Sequence, residues 1–167
     1  HLMPDGLDWS YGTSKAYLRE LCDYWTNTFD WRKSEEELNK FPQFTTNVDG
    51  IDMHFIYKKG IGKDSTPLLI SHGWPGSISE FLKIIEPLAN PQKFGGNSND
   101  SFDVIVPSLP GFGFSGAPSR PWGPRKIASS LNMLMTKKLG YNRYIAQGGD
   151  WGGAISSWLG YDYPKFC

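Results

Sequence analysis

The apolar residues of this chain recur first with helical spacing and then with strand spacing. From Ser14 to Phe29, Tyr17, Leu18, Leu21, Cys22, Trp25 and Phe29 lie three and four positions apart, which predicts an amphipathic helix with one apolar stripe. Ser34 followed by Glu37 matches a capping box, so a second short helix is expected from there toward Phe41, stopped by Pro42. The period then drops to two. Ile51, Met53, Phe55 and Tyr57 alternate with Asp52, His54 and Lys58, and Asp49-Gly50 before them is a strong hairpin signal after Phe44 to Val48.

Beyond the hairpin the grammar changes. Pro67 to Ser71 and Phe102 to Pro107 are expected as short buried strands, and Arg143 to Gln147 as a third strand. Helices are expected over Ser79 to Leu88, with Phe81, Leu82, Ile85 and Leu88 inward, over Arg125 to Leu139, and from Trp151 through Trp158. The Gly-, Asn- and Ser-rich stretch from Asn90 to Ser101 is a loop. Strand and helix alternating three times specify the α/β class, with a parallel sheet and right-handed crossovers.

Composition narrows the function. The 167 residues make room for about one domain. With 39% apolar residues the chain can bury a core. Lys plus Arg and Asp plus Glu are 17 each, so the zero net charge offers no footprint for nucleic acid or an anionic bilayer. No apolar run approaches the roughly 18 residues of a membrane span. Cys22 and Cys167 are the only cysteines, and His1, His54 and His72 the only histidines, with no HExxH. A disulfide framework and a structural zinc site are therefore both unsupported. Aromatics reach 15%, with seven tryptophans, which fits large cores and an aromatic-lined pocket.

Two motifs carry chemistry. Gly148-Gly149-Asp150-Trp151-Gly152-Gly153 lies between a strand and a helix, with glycine two before and two after Asp150. That is the spacing a nucleophile elbow requires, because a tight turn holds the nucleophile in a strained conformation. Here the nucleophile slot holds aspartate, whose carboxylate can attack carbon and form an ester. The plainer alternative is that Asp150 caps the next helix. His72-Gly73-Trp74-Pro75-Gly76-Ser77 follows the first parallel strand, where an oxyanion-hole loop belongs. The hole's two backbone donors are then the N–H groups of Trp74 and Trp151. The alternative here is an ordinary strand–turn–helix connection broken by glycine and proline.

These segments, with Pro107-Ser-Leu-Pro-Gly-Phe-Gly-Phe-Ser115, resemble the microsomal-type epoxide hydrolases of the α/β-hydrolase fold. The amino-terminal run Tyr17-Leu-Arg-Glu-Leu, Trp25, Phe29-Asp-Trp-Arg32, Asn39, Phe41, Phe44 and Asp49 to Phe55 is similar to the meander that precedes the core in that group. The resemblance implies a meander over 1–42 and the first part of a hydrolase core over 43–167. It implies Asp150 as nucleophile and Trp74 and Trp151 as the hole, with His72, Gly73, Pro75, Gly148, Gly149 and Gly152 supporting the motifs. The implied substrates are a small hydrophobic epoxide and water, the product is a diol, and no metal or organic cofactor is needed. Detoxification or aromatic hydrocarbon catabolism, in the cytoplasm or on an upstream membrane anchor, are the settings it implies.

Other residues are weighed against that reading. Gly111, Gly113 and Gly116 spell G-x-G-x-x-G, but Pro118, Pro121 and Pro124 deny it the helix that a dinucleotide site needs. His72 precedes the nucleophile, whereas the base of this fold follows it, so a structural role is expected. For His54 a solvated or hydrogen-bonded imidazole is expected. Asp162 comes too early to be the partner acid, and Tyr141, Tyr144, Tyr161 and Tyr163 are not placed like the family's cap tyrosines. With no histidine after Asp150 and no initiating methionine, the chain is expected to be an internal fragment, inactive alone. Two other functions stay open: a haloalkane dehalogenase using the same aspartate chemistry, and a non-catalytic module on this fold. The amino-terminal meander, and tryptophan rather than asparagine after His72-Gly73, disfavour the dehalogenase.

Overall fold

The structure, a computed structural model, describes residues 9–167; His1 and the rest of 1–8 lie outside the described residues. The chain divides into two compact units, one ending at Glu37 and one from Leu38 to Cys167.

In the first unit, helix α1 spans Lys15–Asn27 and is capped by Ser14, whose Oγ accepts the Tyr17 N–H. The expected apolar stripe is there, but no α1 residue is buried. Helix α2 spans Trp31–Leu38 and corrects the expected start. Asp30 is the cap, its Oδ1 accepting the Arg32 N–H at 3.0 Å, so Ser34 falls inside the helix rather than at its end.

The second unit is built on a five-stranded sheet. Strands β1 (Gln43–Val48) and β2 (Ile51–Lys58) form the expected antiparallel hairpin. Its turn places both Asp49 and Gly50 at positive φ, 53° and 82°, the twist that a two-residue hairpin favours. The Asp49 carboxylate then fixes the hairpin tip, because its Oδ2 accepts from Ser130 Oγ and from Lys126 Nζ. Strands β3 (Thr66–Ser71), β4 (Phe102–Pro107) and β5 (Ile145–Gly148) are parallel, and the order across the sheet is β1-β2-β4-β3-β5.

Burial on both faces explains why β3 and β4 carry the unbroken apolar runs Leu68 to Ile70 and Val104 to Val106, whereas β5, at the end of the sheet order, leaves Ile145 and Gln147 exposed. Leu69 and Ile105 face a core shared with helices α4 (Pro124–Met133) and α5 (Trp151–Asp162). Leu68, Ile70, Val104 and Val106 face a second core with helix α3 (Leu82–Ala89). Strand β2 is interior too, so burial runs unbroken through Met53, His54, Phe55 and Ile56 instead of alternating.

Several boundaries differ from expectation. The helix expected from Ser79 opens as a 3-10 turn, Ile78–Phe81, ahead of α3, and the one expected through Trp158 runs on to Asp162. The helix expected to Leu139 stops at Met133 and continues as one π-helical turn, Leu134–Lys138, in which the Leu139 N–H reaches Leu134 O. The third parallel strand starts at Ile145, not Arg143, because the Tyr144 N–H pairs with Phe166 O at 2.7 Å. No helix among the described residues is long and apolar enough to cross a membrane.

A buried polar chain ties the start of β4 to its surroundings. Asp103 accepts from the Gly60 N–H at 2.9 Å and from Tyr141 Oη at 2.7 Å, and Tyr57 Oη lies 2.7 Å from Tyr141 Oη. Burial first, then these partners, raises the Tyr141 pKa, so the phenol stays a donor. Tyr141→Phe should destabilise the complete protein by about 1–3 kcal/mol, since it strands a buried carboxylate oxygen. Urea unfolding of the variant checks this, and an unchanged midpoint would contradict it.

Candidate active site

Connections leaving β3 and β5 open a crevice at the carboxyl end of the sheet. After β3 the chain passes to α3 on one face, and after β5 it enters α5 on the other. Between neighbouring strands whose connections diverge, backbone ends face outward with nothing packed between them. Register sets Ser71 level with Gly148, so the loop beginning at His72 lies beside Gly149 and Asp150.

Asp150 sits at φ 51°, ψ −122°, a conformation that an L-residue adopts at a cost of about 1–3 kcal/mol. Its side chain makes no cap hydrogen bond to α5. Instead Oδ1 accepts the Trp74 N–H at 2.9 Å. Of the two readings of this aspartate, capping is the one the geometry lacks.

Close approach dictates the glycines around it. A Cβ on Gly73 would lie 2.3 Å from Asp150 Oδ1, so only glycine lets the loop meet the carboxylate. A Cβ on Gly152 would lie 2.0 Å from Ser71 O, and one on Gly148 would lie 2.3 Å from the Gly152 carbonyl carbon. Strand and helix therefore touch backbone to backbone at the elbow. Gly149 is different: its Cβ position is open space, so sterics make no demand there.

The Trp74 and Trp151 backbone N–H groups, Trp74 foremost, hold the Asp150 carboxyl below its ordinary pKa. Trp74 is joined to Pro75 by a cis peptide bond. Both tryptophan side chains are exposed beside the aspartate. Gly73, Trp74, Pro75, Glu80, Gly149 and Asp150 line one open cavity of about 280 Å³.

His72 opens the loop that meets Asp150 in space but is turned away from proton transfer. It is buried, Nε2 accepts the Leu109 N–H at 3.1 Å, and Nδ1 lies 3.0 Å from Gly73 O. An acceptor Nε2 puts the proton on Nδ1, and both nitrogens are thereby occupied in joining the loops after β3 and β4. His54 is likewise satisfied, by Ser108 Oγ and Gln43 Oε1 at 2.9 Å each, and burial lowers its pKa.

Other candidates lie elsewhere. Asp162 is clamped in a bidentate pair with Arg125, and Tyr144 donates to Asn132 Oδ1. The G-x-G-x-x-G stretch is a closed loop, with the Gly111 N–H on Gly116 O and the Gly116 N–H on Asp52 O, and α4 follows only at Pro124. Glu80 is the cavity residue that the sequence reading passed over. Its signal is Ser77-x-x-Glu80, a capping box at the end of the loop that follows β3.

Residues 2–81 match the family model "Epoxide hydrolase N terminus" and residues 66–167 match "alpha/beta hydrolase fold". The chain is 44% identical over 149 residues to Epoxide hydrolase 1 of Sus scrofa, covering 87% of this chain and 33% of that protein. Among solved structures it is similar to the Aspergillus niger epoxide hydrolase, with TM-score 0.85 and 32% identity over 99% of this chain and 44% of the other. The juvenile hormone epoxide hydrolase of Bombyx mori gives 0.86 and 33%, over 99% and 40%. The chain thus spans about a third of the length of the curated relatives it matches.

Two measurements probe this geometry. Gly148→Ala and Gly152→Ala should sharply lower the thermal stability of the complete protein, whereas Gly149→Ala should be tolerated; equal losses at all three would refute the close-approach argument. The depressed Asp150 pKa keeps the carboxylate charged as pH falls, so reactivity that needs the anion should persist above the folded pKa and be lost only below the ordinary value of about 3.9. A pH profile of covalent modification at Asp150 checks the direction.

Proposed function

The chain belongs to the α/β-hydrolase fold family and carries the epoxide-hydrolase amino-terminal segment, and from that premise we propose that the protein hydrolyses epoxides to vicinal diols through an ester on Asp150. One observation carries the reading: a strained aspartate, free of any capping bond, has one carboxylate oxygen held by the Trp74 N–H.

That hydrogen bond makes the two oxygens unequal. Oδ2 attacks a ring carbon, the carbon–oxygen bond of the oxirane breaks, and the departing alkoxide takes a proton from a donor. Oδ1 stays in place as the ester carbonyl. Water then adds to Cγ, a base takes its proton, and the electron pair moves onto Oδ1, where the Trp74 and Trp151 N–H groups stabilise the oxyanion. Collapse breaks the ester Cγ–O bond, and the leaving alkoxide takes a proton from the protonated base and departs as the diol. The Cγ hydroxyl then gives up its proton to restore the carboxylate.

Both histidines among the described residues are engaged in structural hydrogen bonds, which supports a base supplied by another part of the protein. The alkoxide's proton donor is assigned the same way. In this reading residues 1–42 are the amino-terminal meander and 43–167 the first part of the hydrolase core. The epoxide hydrolase descriptions of the relatives favour an oxirane over a haloalkane as substrate.

The test uses the complete protein and styrene oxide in heavy-oxygen water. In a single turnover the diol should emerge without label, because its new oxygen comes from Asp150, and the label should be found in the Asp150 peptide. Asp150→Asn should form no ester and reduce diol formation to background. Label in the first diol would mean direct attack by water and would overturn the assignment.

A further inference from the structure

We propose that Glu80 is a positioning residue for the oxyanion loop, an inference that rests on the ester mechanism above. The loop from His72 to Ser77 is held at two ends. At the first, His72 Nε2 binds the Leu109 N–H. At the second, Glu80 Oε1 accepts the Ser77 N–H at 3.1 Å, while Ser77 Oγ accepts the Ser79 N–H at 3.2 Å. A carboxylate accepting a backbone N–H is a charge-assisted bond, stronger than a neutral one. Trp74, which carries the donor to Asp150, lies between the two anchors.

Gly76 shows how closely the second anchor fits. A Cβ there would lie 1.9 Å from Glu80 Oε1, so the carboxylate occupies space that any other residue would fill. Glu80 also lines the cavity that holds Asp150, on the Trp74 side. It acts through Ser77 and the loop, not on the reacting atoms.

This role predicts an asymmetry between the two chemical steps. The Trp74 N–H stabilises negative charge on Asp150 before attack and again in the tetrahedral intermediate. During ester formation charge leaves the carboxylate, so a loosened donor does not slow that step. During hydrolysis charge returns to Oδ1, and there the loss is felt. Freeing the loop should slow ester hydrolysis by about 10–10²-fold, below the roughly 10²–10³-fold cost of removing a donor outright. The covalent ester should therefore accumulate.

The experiment is an acid-quenched time course of the complete protein with styrene oxide, reading the Asp150-peptide ester by mass and the diol in parallel. Glu80→Ala should accumulate ester with undiminished ester formation. Glu80→Gln, whose amide oxygen still accepts the Ser77 N–H, should retain the wild-type partition. Gly76→Ala, which pushes the carboxylate aside, should reproduce Glu80→Ala and carries the test if that variant does not fold. An unchanged partition in Glu80→Ala, an equal slowing of both steps, or Glu80→Gln behaving like alanine would overturn the proposal. Wild-type protein that makes diol with no ester would instead overturn the Asp150 mechanism, and this inference with it.

Discussion

The hydrogen bond from the Trp74 N–H to Asp150 Oδ1, 2.9 Å long, is the constraint around which the carboxyl end of the sheet is arranged. It joins a loop after β3 to a turn after β5, and neither strand pairing nor core packing alone would bring those two backbones so close. Gly73 clears the space in which the carboxylate sits, and Gly148 and Gly152 let α5 start hard against β3. The positive φ of Asp150 is a local cost, and the surrounding backbone contacts over-determine it.

Much of this was legible in the chain because each signal is local. Leu68 to Ile70 and Val104 to Val106 are apolar throughout since both faces of their strands are buried, and glycines two before and two after Asp150 sit where backbone meets backbone. Asp49-Gly50 needed only its own turn geometry. Where several local signals compete, pattern alone misleads. Asp30 and Ser34 can both start a helix, and the chain uses the first.

Longer-range pairings were not legible. Tyr144 is drawn out of the strand by a carbonyl at Phe166, twenty-two positions on, and no periodicity near Arg143 announces it. His54 looks like a solvent-facing position of a hairpin until Ser108 and Gln43 close over it. Glu80 had a readable capping pattern, yet its nearness to Asp150 depends on the register of β3 with β5.

The burial of His72 bears on chemical selectivity. An oxirane is an electrophile that alkylates any accessible nucleophile, and a neutral imidazole nitrogen competes well with a carboxylate oxygen. His72 stands two residues from Trp74, yet its Nε2 lone pair is already shared with the Leu109 N–H and the residue is 1% exposed. Asp150 is exposed beside it. Under the proposed ester mechanism the fold thus protects the stronger local nucleophile and presents the weaker one, whose ester, unlike an alkylated imidazole, water can undo.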